Sequence, residues 1–128
     1  MKIESHTEKI KRFQKTMRKL DCKEDYEIII EGFLLASAHF INAGMHKLGT
    51  LKQDRDIKHN QLFGFLKRET ALGDHSLEVA ELIQKLEQLR PSHVYGKGSN
   101  GDVAKKAEET FNKIKIICQR ILEEKKEN

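Results

Sequence analysis

A run of apolar and small residues from Ile28 to Ala43 limits what this chain can fold into more than any other feature. Tyr26, Ile29, Ile30, Phe33, Leu34, Ser37, Phe40, Ile41, Gly44 and Leu48 recur at helical steps of three and four, so the run predicts one long amphipathic helix. Asp21 followed by Glu24 opens it with a capping signature, and Gly49 closes it as a C′ residue. At 1.5 Å per residue such a helix is about 40 Å long, enough to be the spine of a bundle. Gly32, Ala36, Ser37, Ala38 and Ala43 let another backbone approach closely, so this face takes either two neighbouring helices or a dimer seam.

Shorter amphipathic patterns flank the spine. Ser5 with Glu8 reads as a capping box ahead of Ile10, Phe13, Met17 and Leu20, a first helix ending near Leu20. After a polar connection from Thr50 to Arg55, a short helix over about Asp56 to Glu69 turns Ile57, Leu62, Phe65 and Leu66 inward and breaks at Gly73. Val79, Leu82, Ile83, Leu86 and Leu89 trace a fourth stripe that Pro91 ends at Arg90, and Ser92 to Gly101 reads as a loop. A last helix from Asp102 carries Ala107, Phe111, Ile114, Cys118 and Ile121 on one seam. The expected fold class is therefore all-α, an up-and-down bundle of about five helices. At 128 residues it forms one domain, 1–128, with a basic N-terminal helix over 1–20.

Charge is uneven. Residues 1 to 20 hold seven basic and two acidic side chains, so a local charge of +5 sits on the first helix while the whole chain carries +4. Such a helix either attracts phosphates or presents a solvated face. Cys22 and Cys118 are far apart, without metal-ligand spacing, and predict free thiols in a reducing compartment. No stretch reads as a membrane span and no apolar leader follows Met1, so a cytoplasmic location without membrane attachment is expected.

The unusual residues concentrate where the fourth helix meets the fifth: Arg90, Pro91, Ser92, His93, Val94, Tyr95, Gly96, Lys97 and Gly98. A helix ending in Arg, a nearby His and Tyr, and a new helix N-terminus together suit a phosphate. Gly96 to Gly101 also spells G-x-G-x-x-G, but no strand precedes it. Backbone N–H groups at Gly98 and Ser99 with Lys97 are a weaker phosphate cradle than a dinucleotide fold would build.

Arg90 followed by Tyr95 resembles the junction motif of the HEPN superfamily, in which an Arg is followed after four to six residues by a His. The long helix with Leu35-Ala36-Ser37-Ala38 and His46-Lys47-Leu48-Gly49 is similar to that family's principal helix, and Lys58-His59-Asn60-Gln61-Leu62 with Phe65 to the opening of its next helix. The resemblance covers roughly residues 22 to 122. It implies a HEPN-like core, a homodimer through the long helix and the Arg90 loop, and RNA or nucleotide binding. Arg90 would contact phosphate, with His93 and Tyr95 lining the site and Lys58 and His59 in a supporting polar cluster. Family nucleases are metal-independent, and here Tyr95 stands where a His would transfer protons, which implies reduced or absent ribonuclease activity.

No metal and no cofactor are expected. His39 and His46, two turns apart, cannot chelate one ion between them and read as core-edge or interface residues; His6 and His75 read as exposed or cap-proximal. The alternative function is a non-catalytic interaction module or accessory subunit, partnering a nucleotidyltransferase or a toxin-antitoxin complex. Its sign would be an apolar surface together with Arg90 held in an ion pair.

Overall fold

In the computed structural model, which describes residues 1–92 and 100–124, every regular element is helical: α1 (Ile3–Met17), α2 (Tyr26–Leu48), α3 (Leu62–Glu69), α4 (Ser76–Ser92) and α5 (Asn100–Glu123). Single 3₁₀ turns at His59–Gln61 and Gly73–His75 lead into α3 and α4. No strand occurs among the described residues, so the chain is an all-α bundle.

The long helix is its axis. α2 packs against α1, α4 and α5, which is what the small residues along it permit. Gly32 is such a point: a Cβ built there would lie 2.6 Å from Met17 Sδ, the last residue of α1. Phe111 of α5 fills the other side, its ring centroid 4.9 Å from Phe33 and 5.9 Å from Phe40. The predicted stripes on α4 (Val79, Leu82, Ile83, Leu86, Leu89) and α5 (Ala107, Phe111, Ile114, Cys118, Ile121) are all buried. By length and composition α2 does qualify as a membrane span, unlike the sequence expectation. However, 72% of its most apolar window is buried inside the bundle, the place of a core helix.

The helix ends shift where local chemistry outweighs pattern. α1 starts at Ile3, so Ser5 lies inside its first turn instead of capping it. Asp21 does bind backbone N–H groups, those of Lys23 (2.8 Å) and Glu24 (3.1 Å), and Asp25 returns a carboxylate to the Asp21 N–H at 2.9 Å. This closes a separate turn, and α2 begins after it. These N–H groups, with Glu24 foremost, hold the Asp21 carboxyl below its usual range. At the far end Gly49 has φ 75°, with its N–H on His46 O and the Thr50 N–H on Met45 O, a Schellman stop as read from the sequence. α4 runs through Pro91 to Ser92, because a missing N–H costs only one bond in a final turn.

Candidate functional site

Two polar assemblies tie the helices together, and the first, half exposed at the edge of the bundle, is built on Arg90. In the last turns of α4 its guanidinium forks onto Glu31 of α2, Nε to Oε2 at 2.7 Å and Nη2 to Oε1 at 3.0 Å, while Nη1 lies 3.5 Å from Glu87 Oε2. The other Glu87 oxygen accepts from His59 Nδ1 at 2.6 Å. His59 and Arg90, from different elements, thus share one carboxylate. Lys58 is exposed. His93, Tyr95, Lys97, Gly98 and Ser99 lie outside the described residues. One guanidinium facing two carboxylates leaves little net positive charge for a phosphate, although the Arg90 side chain is 37% exposed.

The second assembly joins α1, α2 and the connection between α2 and α3. His39, Asn42 and His46 fall at steps of three and four on α2 and so form a polar stripe on a buried helix. His6 of α1 sits between the two α2 imidazoles, with centroids 5.1 Å from His39 and 5.4 Å from His46. It is 2% exposed, which corrects its expected place at the surface: His6 lies one turn before Ile10 on the buried face of α1, so it faces α2. His75 is exposed.

Asn42 explains why an acid arrives there. Its Oδ1 accepts the Ile57 N–H at 2.8 Å, and its Nδ2 donates to Ile57 O at 3.0 Å and Ala38 O at 2.9 Å, replacing a strand partner for the buried backbone of Ile57. That pins the neighbouring Asp56 over the histidines. Asp56 Oδ1 lies 2.9 Å from His6 Nε2 and 2.8 Å from His46 Nε2, and Oδ2 accepts from the Met1 amino group at 3.1 Å. Nδ1 of His6 lies 2.8 Å from Nδ1 of His39, and Nδ1 of His46 lies 3.0 Å from Leu51 O.

Burial governs the electrostatics. Desolvation lowers the His6 pKa, with hydrogen bonding to Asp56 working against it. His39 falls to about 4, from burial first and then from the neighbouring His6 and Lys9. Desolvation raises Asp56, but hydrogen bonds from His46, His6 and the Met1 amino group together outweigh it, and its carboxyl ends below the usual value. His6, His46 and Asp56 offer ligand atoms that all lie within 4.8 Å of one another. This set does not stand out in the sequence, where only His39 and His46 share a helix and His6 and Asp56 are remote from both. The available signal was the polar stripe at 39, 42 and 46 on an otherwise apolar helix.

Between α1 and α2 an open cleft of about 490 Å³ is lined by Phe13, Met17, Leu20, Ile28 and Leu35, with Lys9 and Arg12 on one rim and Glu31 on the other. The chain matches no protein-family model, no curated protein and no solved structure.

Proposed function

We propose that this chain is a non-catalytic interaction module that docks an acidic amphipathic helix of a partner protein in the groove between α1 and α2. The carrying observation is Ile28, which is 58% exposed at the lip of an apolar cleft. An exposed large aliphatic beside a concave apolar surface suits the apolar face of a helix, whose anchors each contribute roughly 1.5–3 kcal/mol when buried. The rims supply the sign of the partner. Glu31 is neutralised by Arg90, so Lys9, Arg12 and the +5 charge of residues 1–20 dominate the approach and favour acidic flanks. The same charge opposes a second copy of α1. On this reading Arg90 sets the electrostatics of the groove instead of holding a scissile phosphate.

The test is fluorescence anisotropy with a labelled Leu/Glu amphipathic helix and its Leu/Lys counterpart. The acidic peptide binds the wild-type chain, binds less at high salt, and loses binding to Ile28→Glu, whose unchanged circular dichroism shows an intact fold. Equal binding of both peptides, or indifference to Ile28→Glu, overturns the proposal.

The approach of His59 to Arg90 through Glu87 suits a second reading, the phosphate site implied by the HEPN resemblance, although the ion pairs of Arg90 with Glu31 and Glu87 count against it. It requires RNA binding that Arg90→Ala removes and Ile28→Glu leaves intact.

A further inference from the structure

We propose that His6, His46 and Asp56 form a binding site for a divalent transition-metal ion of the zinc class, with His39 as the positioning residue behind His6.

Leu51 O can only accept, so the hydrogen of the contact to His46 lies on Nδ1. A neutral His46 ring then turns an unprotonated Nε2 toward Asp56 Oδ1 at 2.8 Å, lone pair against lone pair. Either a hydrogen or a metal ion has to stand between them. At His6 one hydrogen serves the contact between the Nδ1 atoms of His6 and His39. When His6 donates it, His6 Nε2 also offers a lone pair to the same oxygen, at 2.9 Å. Two imidazole nitrogens and a carboxylate then converge, and one divalent cation satisfies all three.

Geometry and surroundings agree. Metal bonds of about 2.0–2.1 Å in a tetrahedron put ligand atoms roughly 3.3 Å apart, so the two short contacts to Asp56 need to open by about half an ångström. Metal-bound histidines usually donate their other N–H to a carbonyl or comparable acceptor; Leu51 O serves His46 in this way and His39 Nδ1 serves His6. Asn42 holds the loop that carries Asp56. The His46 side chain is fully buried while that of Asp56 is 32% exposed, which leaves a solvent side through which an ion arrives and a water completes the coordination. Two imidazoles with one carboxylate favour zinc, cobalt or nickel over calcium or magnesium. Three ligands from α1, α2 and the following connection would also lock α1 onto the bundle.

Titration of the full chain with Co²⁺, then displacement by Zn²⁺, tests the site. One equivalent of Co²⁺ binds with visible d–d bands and without the charge-transfer band of a thiolate, and Zn²⁺ abolishes the bands and raises Tm. His46→Gln and Asp56→Asn each weaken binding by more than a hundredfold, His39→Gln by roughly ten- to a hundredfold, and His75→Gln not at all. Because removing a buried imidazole can cost the fold itself, the wild-type chain carries an independent readout: Zn²⁺ shifts the Nε2 resonances of His6 and His46 and leaves those of His59 and His75 in place. No Co²⁺ bound at tenfold excess, or shifts confined to other histidines, overturns the site. That result would leave a hydrogen between His46 Nε2 and Asp56 Oδ1, and it does not bear on the groove.

Discussion

Asn42→Ala probes how the histidine cluster acquires its acid. The side chain is 3% exposed and makes three hydrogen bonds, two of them to the N–H and C=O of Ile57. Truncation strands both Ile57 groups, at about 1–3 kcal/mol each, whereas Ala38 O keeps its helical partner. A loss of roughly 3 kcal/mol follows once partial access of water to the loop is allowed. In a domain of this size that lowers Tm by about 10 °C. Urea denaturation reads it as a lower midpoint at unchanged slope, since the surface exposed on unfolding is nearly the same. Hydrogen exchange supplies the local check, with the Ile57 amide losing protection before the α2 amides do. Asn42→Asp keeps an acceptor for the Ile57 N–H but brings an uncompensated charge into the same place, so it costs at least as much. Should Asn42→Ala cost less than about 1 kcal/mol, or the Ile57 amide stay protected, the loop is held by something other than this amide.

Two further outcomes follow from packing. Gly32→Ala gains about 1 kcal/mol of helix propensity but forces Met17 Sδ away from a Cβ at 2.6 Å, so it destabilises by roughly 1 kcal/mol net; in a Met17→Ala background it stabilises, and additivity in that double-mutant cycle would refute the contact. Burial pushes the Cys118 thiol up to about 12, and the nucleophile is the thiolate, so at pH 8 the native chain takes up one equivalent of iodoacetamide, at half-buried Cys22, and two in denaturant; prompt labelling of Cys118 would contradict the packing of α5.

The periodic part of the fold was legible because it rests on local spacing. The stripes on α4 and α5 and the Gly49 stop are set by residues three and four apart, and they stand where the pattern put them. Helix starts were less legible: Asp21 caps with its own neighbours, and the same capping signature serves a closed turn as well as a helix start. The histidine cluster was illegible for a different reason. His6 and Asp56 are fifty residues apart, and their meeting depends on Asn42 pairing with Ile57, a contact with no sequence period. The Arg90 and His59 proximity came from the family resemblance, and the network through Glu87 gives it a geometry without giving it a ligand.

The polar stripe on α2 is costly unless it is used. His39, Asn42 and His46 occupy positions of the helix where aliphatic side chains would bury apolar area and need no partners, and each desolvated polar atom there has to be matched. Asn42 is matched by the backbone of Ile57, in a connection whose Leu51 and Ile57 side chains also enter the core. What that segment delivers is a carboxylate aimed at two imidazoles whose remaining nitrogens already have partners of their own. A scaffold needing only to tie α1 to α2 could do so with the packing seen at Gly32 and Met17. Charged and titratable groups in place of that packing favour a site that exchanges something with solvent, and the half-open Asp56 is where the exchange would occur. The groove lies farther along the same two helices, lined by Lys9, Phe13 and Met17 beyond His6 on α1. An ion that fixes the angle between α1 and α2 would therefore also fix the width of the groove, and peptide affinity measured with and without Zn²⁺ should differ even though the ion and the peptide share no ligand atom.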